Sequence, residues 1–413
     1  MKKKILVLSD HALSTSGVGV QTRHLIEGLL KKNKYTFRQF GAALKHADYR
    51  TVVVNDDFII KPIDGFGDRE TLRVTLATEK PDALLIFTDP RFFIWLFEME
   101  DEIHQICPII WWHVWDNTPY PKFNDPLYRA TDSINCHSYH TYTQLSEHHS
   151  EKTNFIPHTV PEEIFKKLPE NERINSKRAL LGNSKEDDFV GIWINRNAKR
   201  KRSSDVLESW KIFLEDLEKN EGHRNATLIM HCDPHDPEGA NLLIVSEMMG
   251  IQDNVLFSRD RIDFDQMNIL YNISDFCLNI SFAEGFGLST LESMQAGTPI
   301  IAAKTGGLTR QVVDHRDGTE NGVALDIDFK TLVGSQGVPY IHEDYVSSEN
   351  VAKGIMKMYN KTDTEKSMLS DKVMRYVKNS FYYDDMIDSW DKELTATIQN
   401  WKNSYKRYSI KTI

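Results

Sequence analysis

Cysteine is scarce in this 413-residue chain: four thiols, at 107, 136, 232 and 277, lie far apart and none forms a Cys-x-x-Cys pair. That spacing excludes a disulfide framework and the usual zinc motifs. The thiols read as small buried hydrophobes in a reducing compartment. Long apolar runs are also missing, and no stretch approaches the 18 or so residues needed to cross a bilayer. Positive charge is in deficit: the formal net charge is −10, which gives no general steering toward nucleic acid, although a local basic patch is compatible with it. There is no internal repeat and no low-complexity tract. Met1-Lys2-Lys3-Lys4 precedes only four apolar residues, Ile5–Leu8, before Ser9-Asp10-His11. This reads as a first β-strand, not a signal peptide. A cytoplasmic protein is expected. The cations Lys402, Lys406, Arg407 and Lys411 leave a peripheral membrane contact open.

What is present is an ordinary globular balance, 40% hydrophobic and 27% charged residues, in a chain longer than the roughly 250–300 residues at which one core stops growing. Two domains are expected. Short apolar runs alternate with helical patterns: strands at 5–9, 51–54, 83–87, 107–114, 134–136 and 155–156, with helices over 18–31, 91–104 and 139–148. The polar run 169–177 reads as a separator. The alternation then resumes, with strands at 189–194, 227–231, 255–257, 276–280 and 299–302 and helices near 203–218, 238–249, 263–271 and 288–296. After Ser348 the pattern is helical. Such alternation predicts two Rossmann-like α/β domains with parallel sheets covered on both faces. The boundaries are placed at 1–165, 166–375 and a helical segment 376–413.

Three glycine- or cation-rich turns follow strands of the second half. Ser281-Phe282-Ala283-Glu284-Gly285-Phe286-Gly287-Leu288-Ser289 leads into a helix carrying Glu292. Backbone N–H groups of Gly287, Leu288 and Ser289 at a helix start suit phosphate. Glu284 and Glu292 would repel phosphate and instead suit the paired hydroxyls of a sugar and a ribose. Lys304-Thr305-Gly306-Gly307 is a second such turn, at the strand end where α/β sheets bind ligands. Asn195–Arg202, with five cations, is the third. Its Arg and Lys side chains suit a diphosphate held without a metal ion, or else form a solvated basic edge. In the first half, Gly17 and Gly19 open a helix and either touch a ligand in the interdomain cleft or serve packing alone. The cluster His231, Asp233, His235 and Asp236 fits no metal-ligand spacing, so no metal is expected.

At these residues the sequence resembles the retaining GT-B glycosyltransferases of family 4, the glycosyl transferases group 1. Glu284 and Glu292 match that family's Glu, seven residues, Glu motif. Arg196 and Lys201 keep the five-residue spacing of its Gly-Arg-Leu-x-x-x-Lys-Gly segment without either glycine. Gly306-Gly307 matches a Gly-Gly after the next strand. Phe155-Ile156-Pro157-His158-Thr159-Val160 with Phe165 is similar to the entry into the second domain, and Phe381…Trp390 to the C-terminal helix that crosses back to the first. The resemblance implies the GT-B fold, two domains facing across a cleft, with the acceptor on the first and the nucleotide sugar on the second. It implies retention of configuration, Glu284 on the donor sugar's hydroxyls, Glu292 on the ribose, and Arg196 and Lys201 on the diphosphate. Gly285, Phe286, Gly287, Leu288, Ser289 and Gly306 would complete the donor site. His113, in the loop before Asp116 and among Trp111, Trp112 and Trp115, would meet the donor sugar through its backbone or ring; packing among the tryptophans is the other reading.

No cofactor is implied beyond the donor substrate, whose UDP, GDP or ADP form stays open. The acceptor expected is a saccharide or lipid-linked saccharide. A DNA-modifying transferase acting on a hydroxylated base, a phosphorylase of the same fold, and a catalytically weak nucleotide-sugar-binding protein are the alternatives.

Overall fold

The computed structural model describes residues 2–44 and 47–404. The chain divides into two compact units: Met1–Trp115, Pro119–Thr159 and the segment from Tyr383 form the first, and Asp116–Thr118 with Val160–Tyr382 the second. The divisions differ from the expected 165 and 375 because Val160 and Phe165, and later Val373, Tyr376, Val377 and Phe381, are buried in the second unit's core.

The first unit is built from β1 (Lys3–Asp10), α1 (Gly17–Lys31), β2 (Tyr35–Ala42), β3 (Val52–Asn55), β4 (Phe58–Pro62), α2 (Arg69–Glu79), β5 (Ala83–Thr88), α3 (Ile94–Phe97), α4 (Glu100–Ile103), β6 (Ile109–His113), α5 (Asp125–Arg129), β7 (Ser133–Cys136), α6 (Tyr139–His149) and β8 (Thr153–Phe155). Its sheet has the order β3-β4-β2-β1-β5-β6-β7-β8 and is parallel except where β3 meets β4. Strands covered on both faces must be apolar on both. Thus Ile5 and Val7 of β1 enter one core and Leu6 and Leu8 the other. The single helix expected over 91–104 is broken into a 3₁₀ turn, α3 and α4, because Phe93 and Met99 leave helical geometry with their side chains buried.

The second unit contains α7 (Glu170–Leu181), β9 (Phe189–Ile194), α8 (Ser203–Glu221), β10 (Ala226–His231), α9 (Leu242–Met248), β11 (Val255–Ser258), α10 (Phe264–Asn272), β12 (Phe276–Asn279), α11 (Leu288–Gln295), β13 (Ile300–Ala303), α12 (Thr309–Val312), β14 (Gly322–Leu325), β15 (Phe329–Val333), β16 (Ile341–Tyr345), α13 (Ser348–Tyr359) and α14 (Asp363–Ser380). The expected polar separator is the helix α7. Acidic residues in its first turn, Arg178 in its last and Gly182 as C-cap supply start and stop signals, although none of its residues is buried. The parallel sheet runs β11-β10-β9-β12-β13-β14. Strand order therefore reverses between β9 and β12, the switch point at which open α/β sheets receive ligands. The loops after β9, β12 and β13 leave adjacent strands. An antiparallel hairpin, β15–β16, pairs Phe329 with Tyr345 and Val333 with Ile341.

The last described helix, α15 (Tyr383–Ser404), belongs to the first unit. Tyr383, Met386, Ile387, Trp390, Leu394 and Ile398 complete its core. Gly28 on α1 makes room: a Cβ there would stand 2.2 Å from Cδ1 of Ile387. Trp390 meets Trp112 edge-on at 5.0 Å. Lys402 pairs with Asp82 at 3.1 Å; Lys406, Arg407 and Lys411 lie outside the described residues. Among the described residues no helix is long and apolar enough to cross a membrane. Trp390 is fully buried, so Trp390→Ala should cost about 3–5 kcal/mol. Urea denaturation followed by circular dichroism will show this as an earlier transition of the first unit.

Candidate functional site

Beyond β9 the chain forms a 3₁₀ turn, Lys199–Lys201, that is stitched to the loop after β12. The Phe282 amide donates to the Arg200 carbonyl at 3.0 Å. Nη1 of Arg200 donates to the Ala283 carbonyl at 2.8 Å and lies 3.6 Å from Asp116. Next to it the ammonium of Lys201 is ion-paired with Glu284, both side chains nearly buried. The same Glu284 oxygen accepts from Ser281 Oγ at 3.2 Å and from Asn279 Nδ2 at 3.4 Å. Burial pushes the Glu284 carboxyl up, but Lys201 and Arg200 override it and hold the group down at about 2. Burial in turn pulls the Lys201 ammonium below its ordinary range, against the pull of Glu284. The pair stays charged because each partner supplies the counter-charge that water would otherwise provide.

The glycine turn is fixed from beneath. Gln311 Nε2 donates to the carbonyls of Phe286 (2.7 Å) and Gly287 (3.1 Å). Its oxygen accepts from Thr290 Oγ1 at 2.7 Å. No side chain caps α11, so its first-turn amides lack the partner that a cap would supply. Gly287 has φ +90°, and Gly306 has φ +47° with room for no side chain: a Cβ would lie 2.1 Å from the Glu284 carbonyl oxygen. Gly307 N–H donates to that same carbonyl at 2.9 Å. Gly285 and Phe286 are buried, and the Phe286 ring packs edge-on against Phe381 at 5.8 Å. Phe286 can therefore offer a ligand only its backbone. Glu292, half-buried on α11, accepts from the Tyr271 hydroxyl at 2.7 Å. Burial raises its carboxyl to about 7, the Tyr271 bond opposing this in part.

Other expected site residues are placed elsewhere. His113 is fully buried, with Nε2 3.0 Å from the Tyr128 hydroxyl and the ring 4.2 Å from that of Trp111. Burial drives its pKa far down. Its carbonyl accepts from His137 Nδ1 at 2.6 Å. The imidazole thus packs in the core of the first unit, between Trp111 and Tyr128. Arg196 is exposed and held by Asp236 at 2.6 Å and Glu238 at 3.0 Å; it does not join the Lys201–Glu284 pair. Arg200 takes that place, and the five-cation run signalled it only as one of several cations. In the first unit Ser16 Oγ accepts from the Gly19 amide at 3.0 Å and donates to Asp10 at 2.6 Å. A Cβ on Gly19 would come within 2.3 Å of Ser14 Oγ, so packing accounts for that glycine, while Gly17 is exposed. Among the described residues no three His, Cys, Asp or Glu side chains are grouped to hold a metal ion.

Residues 175–326 match the family model described as glycosyl transferases group 1. Those residues form a domain similar to the glycosyl transferases group 1. That domain spans the switch point, the Lys201–Glu284 pair and both glycine turns. The N-acetyl-alpha-D-glucosaminyl L-malate synthase of Bacillus anthracis is 26% identical over 223 residues, 53% of this chain and 52% of that protein. The D-inositol 3-phosphate glycosyltransferase 2 of Catenulispora acidiphila is 35% identical over 20% of this chain and 19% of its own length. The chain thus spans about half the first relative and a fifth of the second. Among solved structures, sucrose-phosphate synthase from Thermosynechococcus elongatus superposes with a TM-score of 0.72 at 15% identity, covering 97% of this chain and 100% of the other. Anabaena HepE in complex with UDP and glucose gives 0.66 at 16% identity over 95% and 100%. These likenesses establish the fold, which is GT-B: two Rossmann-like α/β units.

Signals for Tyr271 and Gln311 are absent from the sequence, because each acts from another element, α10 or α12, packed against the turn and its helix. Two outcomes test the electrostatics. Lys201→Met strands a buried carboxylate and should cost about 3–5 kcal/mol, whereas Lys201→Met with Glu284→Gln should recover most of it in urea denaturation. Glu292 is held above its ordinary 4.5, so the folded state binds the extra proton and stability falls as pH rises from about 4.5 to about 7. Glu292→Gln removes that slope. Its stability relative to the parent should rise by up to about 3 kcal/mol between pH 5 and pH 8, read from melting curves at each pH.

Proposed function

We propose that this protein is a retaining, metal-independent glycosyltransferase that moves a sugar from a nucleotide-diphosphate sugar to a hydroxyl of a saccharide or lipid-linked saccharide. The observation that carries the reading is the charged Lys201–Glu284 pair beside two glycine turns at the strand-order reversal, within a group 1 domain. In this reading Lys201 and Arg200, with the amides of Leu288 and Ser289, take the diphosphate charge. Arg196 joins them by exchanging Asp236 and Glu238 for phosphate. Glu284 accepts from the donor sugar's hydroxyls and Glu292 from the ribose. Glycines 285, 287 and 306 give the ligand access to backbone.

In the reaction the bond from the anomeric carbon to the diphosphate oxygen breaks, and the acceptor oxygen bonds to that carbon on the same face. The departing phosphate takes the hydroxyl proton. Products are a glycoside and a nucleoside diphosphate. Preorganised cations stabilise the charge that grows on the leaving group, commonly the largest contribution in catalysis. Because relatives are named for malate and inositol phosphate, small hydroxylated compounds join saccharides in the acceptor panel, and the HepE complex with UDP-glucose makes UDP-sugars the first donors to try.

The experiment is a panel of UDP-, GDP- and ADP-sugars, with released nucleoside diphosphate measured with and without acceptors and with EDTA. Turnover of one donor, unchanged by EDTA, is expected, and Glu284→Ala and Lys201→Ala should each lower kcat by about 10² or more. Failure to turn over any donor, or an unaffected Glu284→Ala, would sink the reading.

A further inference from the structure

Four described residues other than glycine have positive φ: Asn33, Ala43, Lys80 and Arg202. Three are exposed; Arg202 alone is buried. At φ +58° and ψ +38° it takes a left-handed conformation costly for any residue with a Cβ, at the position where the resembled motif has glycine. A long cationic side chain is kept there, and its surroundings give the reason. Nε donates to Asp205 at 2.7 Å, while Nη1 meets no hydrogen-bond acceptor among the described residues. The guanidinium instead faces two rings, Phe282 at 5.1 Å and Tyr345 at 5.6 Å. Those rings lie 4.4 Å from each other, and Tyr345 stacks on Phe329 at 4.8 Å. A desolvated cation over aromatic faces is worth more than an exposed one.

Phe282 stands two residues before Glu284, and its carbonyl accepts from the Asp344 amide at 2.8 Å. The Asp344 carboxylate accepts from Thr305 Oγ1 at 2.7 Å, at the start of the second glycine turn. The hairpin therefore grips both turns from outside the sheet. We propose that Arg202, Phe282 and Tyr345 form a cation–aromatic brace through which the β15–β16 hairpin holds the Glu284 loop in place. Arg202 and Tyr345 are positioning residues and do not touch substrate. The kinetic part of this inference rests on the proposed transferase activity; the mechanical part does not.

Hydrogen exchange read by mass spectrometry on the full chain tests the mechanical part without any ligand. In Tyr345→Leu and Arg202→Gly the segment 281–287 should exchange at least tenfold faster than in the parent, with β10 unchanged as a folding control. Tyr345→Phe, which keeps the ring, should stay within twofold. With the donor that the parent turns over, the first two variants should lose at least tenfold in kcat with KM within threefold, and Tyr345→Phe should lose neither. Unchanged exchange across 281–287 in both variants overturns the brace. Faster exchange with an unaltered kcat overturns its positioning role. Should Tyr345→Leu fail to fold, Arg202→Gly, which relieves the backbone, carries the test. A parent that turns over no donor refutes the transferase reading, and the exchange data then decide the brace by themselves.

Discussion

The ion pair of Lys201 and Glu284 is the constraint around which the second unit's functional edge is arranged. Two charges removed from water are tolerable only when their remaining hydrogen-bonding capacity is met. Asn279 and Ser281 meet part of it from β12 and its loop. Arg200 adds positive charge and fastens its own loop to Ala283. The result ties the loop after β9 to the loop after β12, two segments more than 80 residues apart in sequence. A ligand that took over one member of the pair would find its partner already desolvated and oriented.

Topology decides why those loops meet at all. Reversal of strand order between β9 and β12 sends the neighbouring connections to opposite faces and opens the edge between them. Glycine is needed there for two separate reasons. At Gly306 backbone passes too close to the Glu284 carbonyl for any side chain, and at Gly287 the chain turns left-handed. Glu292 occupies a different electrostatic setting one turn along α11, where burial dominates and a tyrosine hydroxyl offsets it only in part. Two carboxylates on one motif are thereby driven in opposite directions, one firmly ionised and the other poised near neutrality.

Much of this was legible from residues alone. Strands covered on both faces appear as unbroken apolar runs, so β1, β5, β9 and β12 were visible. Glycine turns following them marked the site because left-handed backbone and close approach leave a compositional trace. The polar run that became α7 was misread because a helix with no buried face has no hydrophobic period; only its caps betray it. The hairpin β15–β16 leaves no such trace, since neither strand has a buried face to set an alternating pattern. Among site residues, charge and spacing singled out Glu284 and Lys201. They could not say which way an arginine turns: Arg196 faces Asp236 while Arg200 takes the inner position. For His113 both readings stood open, because a histidine at a strand end looks the same in sequence whether its ring points to solvent or into tryptophans.

The place of α15 bears on how the chain acquires its structure. The face of the first sheet that carries Ile5, Val7 and Phe37 is covered by Trp390, Leu394 and Ile398, which a ribosome delivers only after the residues of the second unit. Domains generally fold as units during synthesis. The second unit, nearly all of it contiguous from Val160 to Tyr382, can close its core before translation reaches α15. The first unit, although begun earlier, must wait with an apolar face uncovered until α15 emerges. Completion of the two cores thus runs opposite to the direction of synthesis, and the interval between them is when the nascent first unit most needs protection from aggregation.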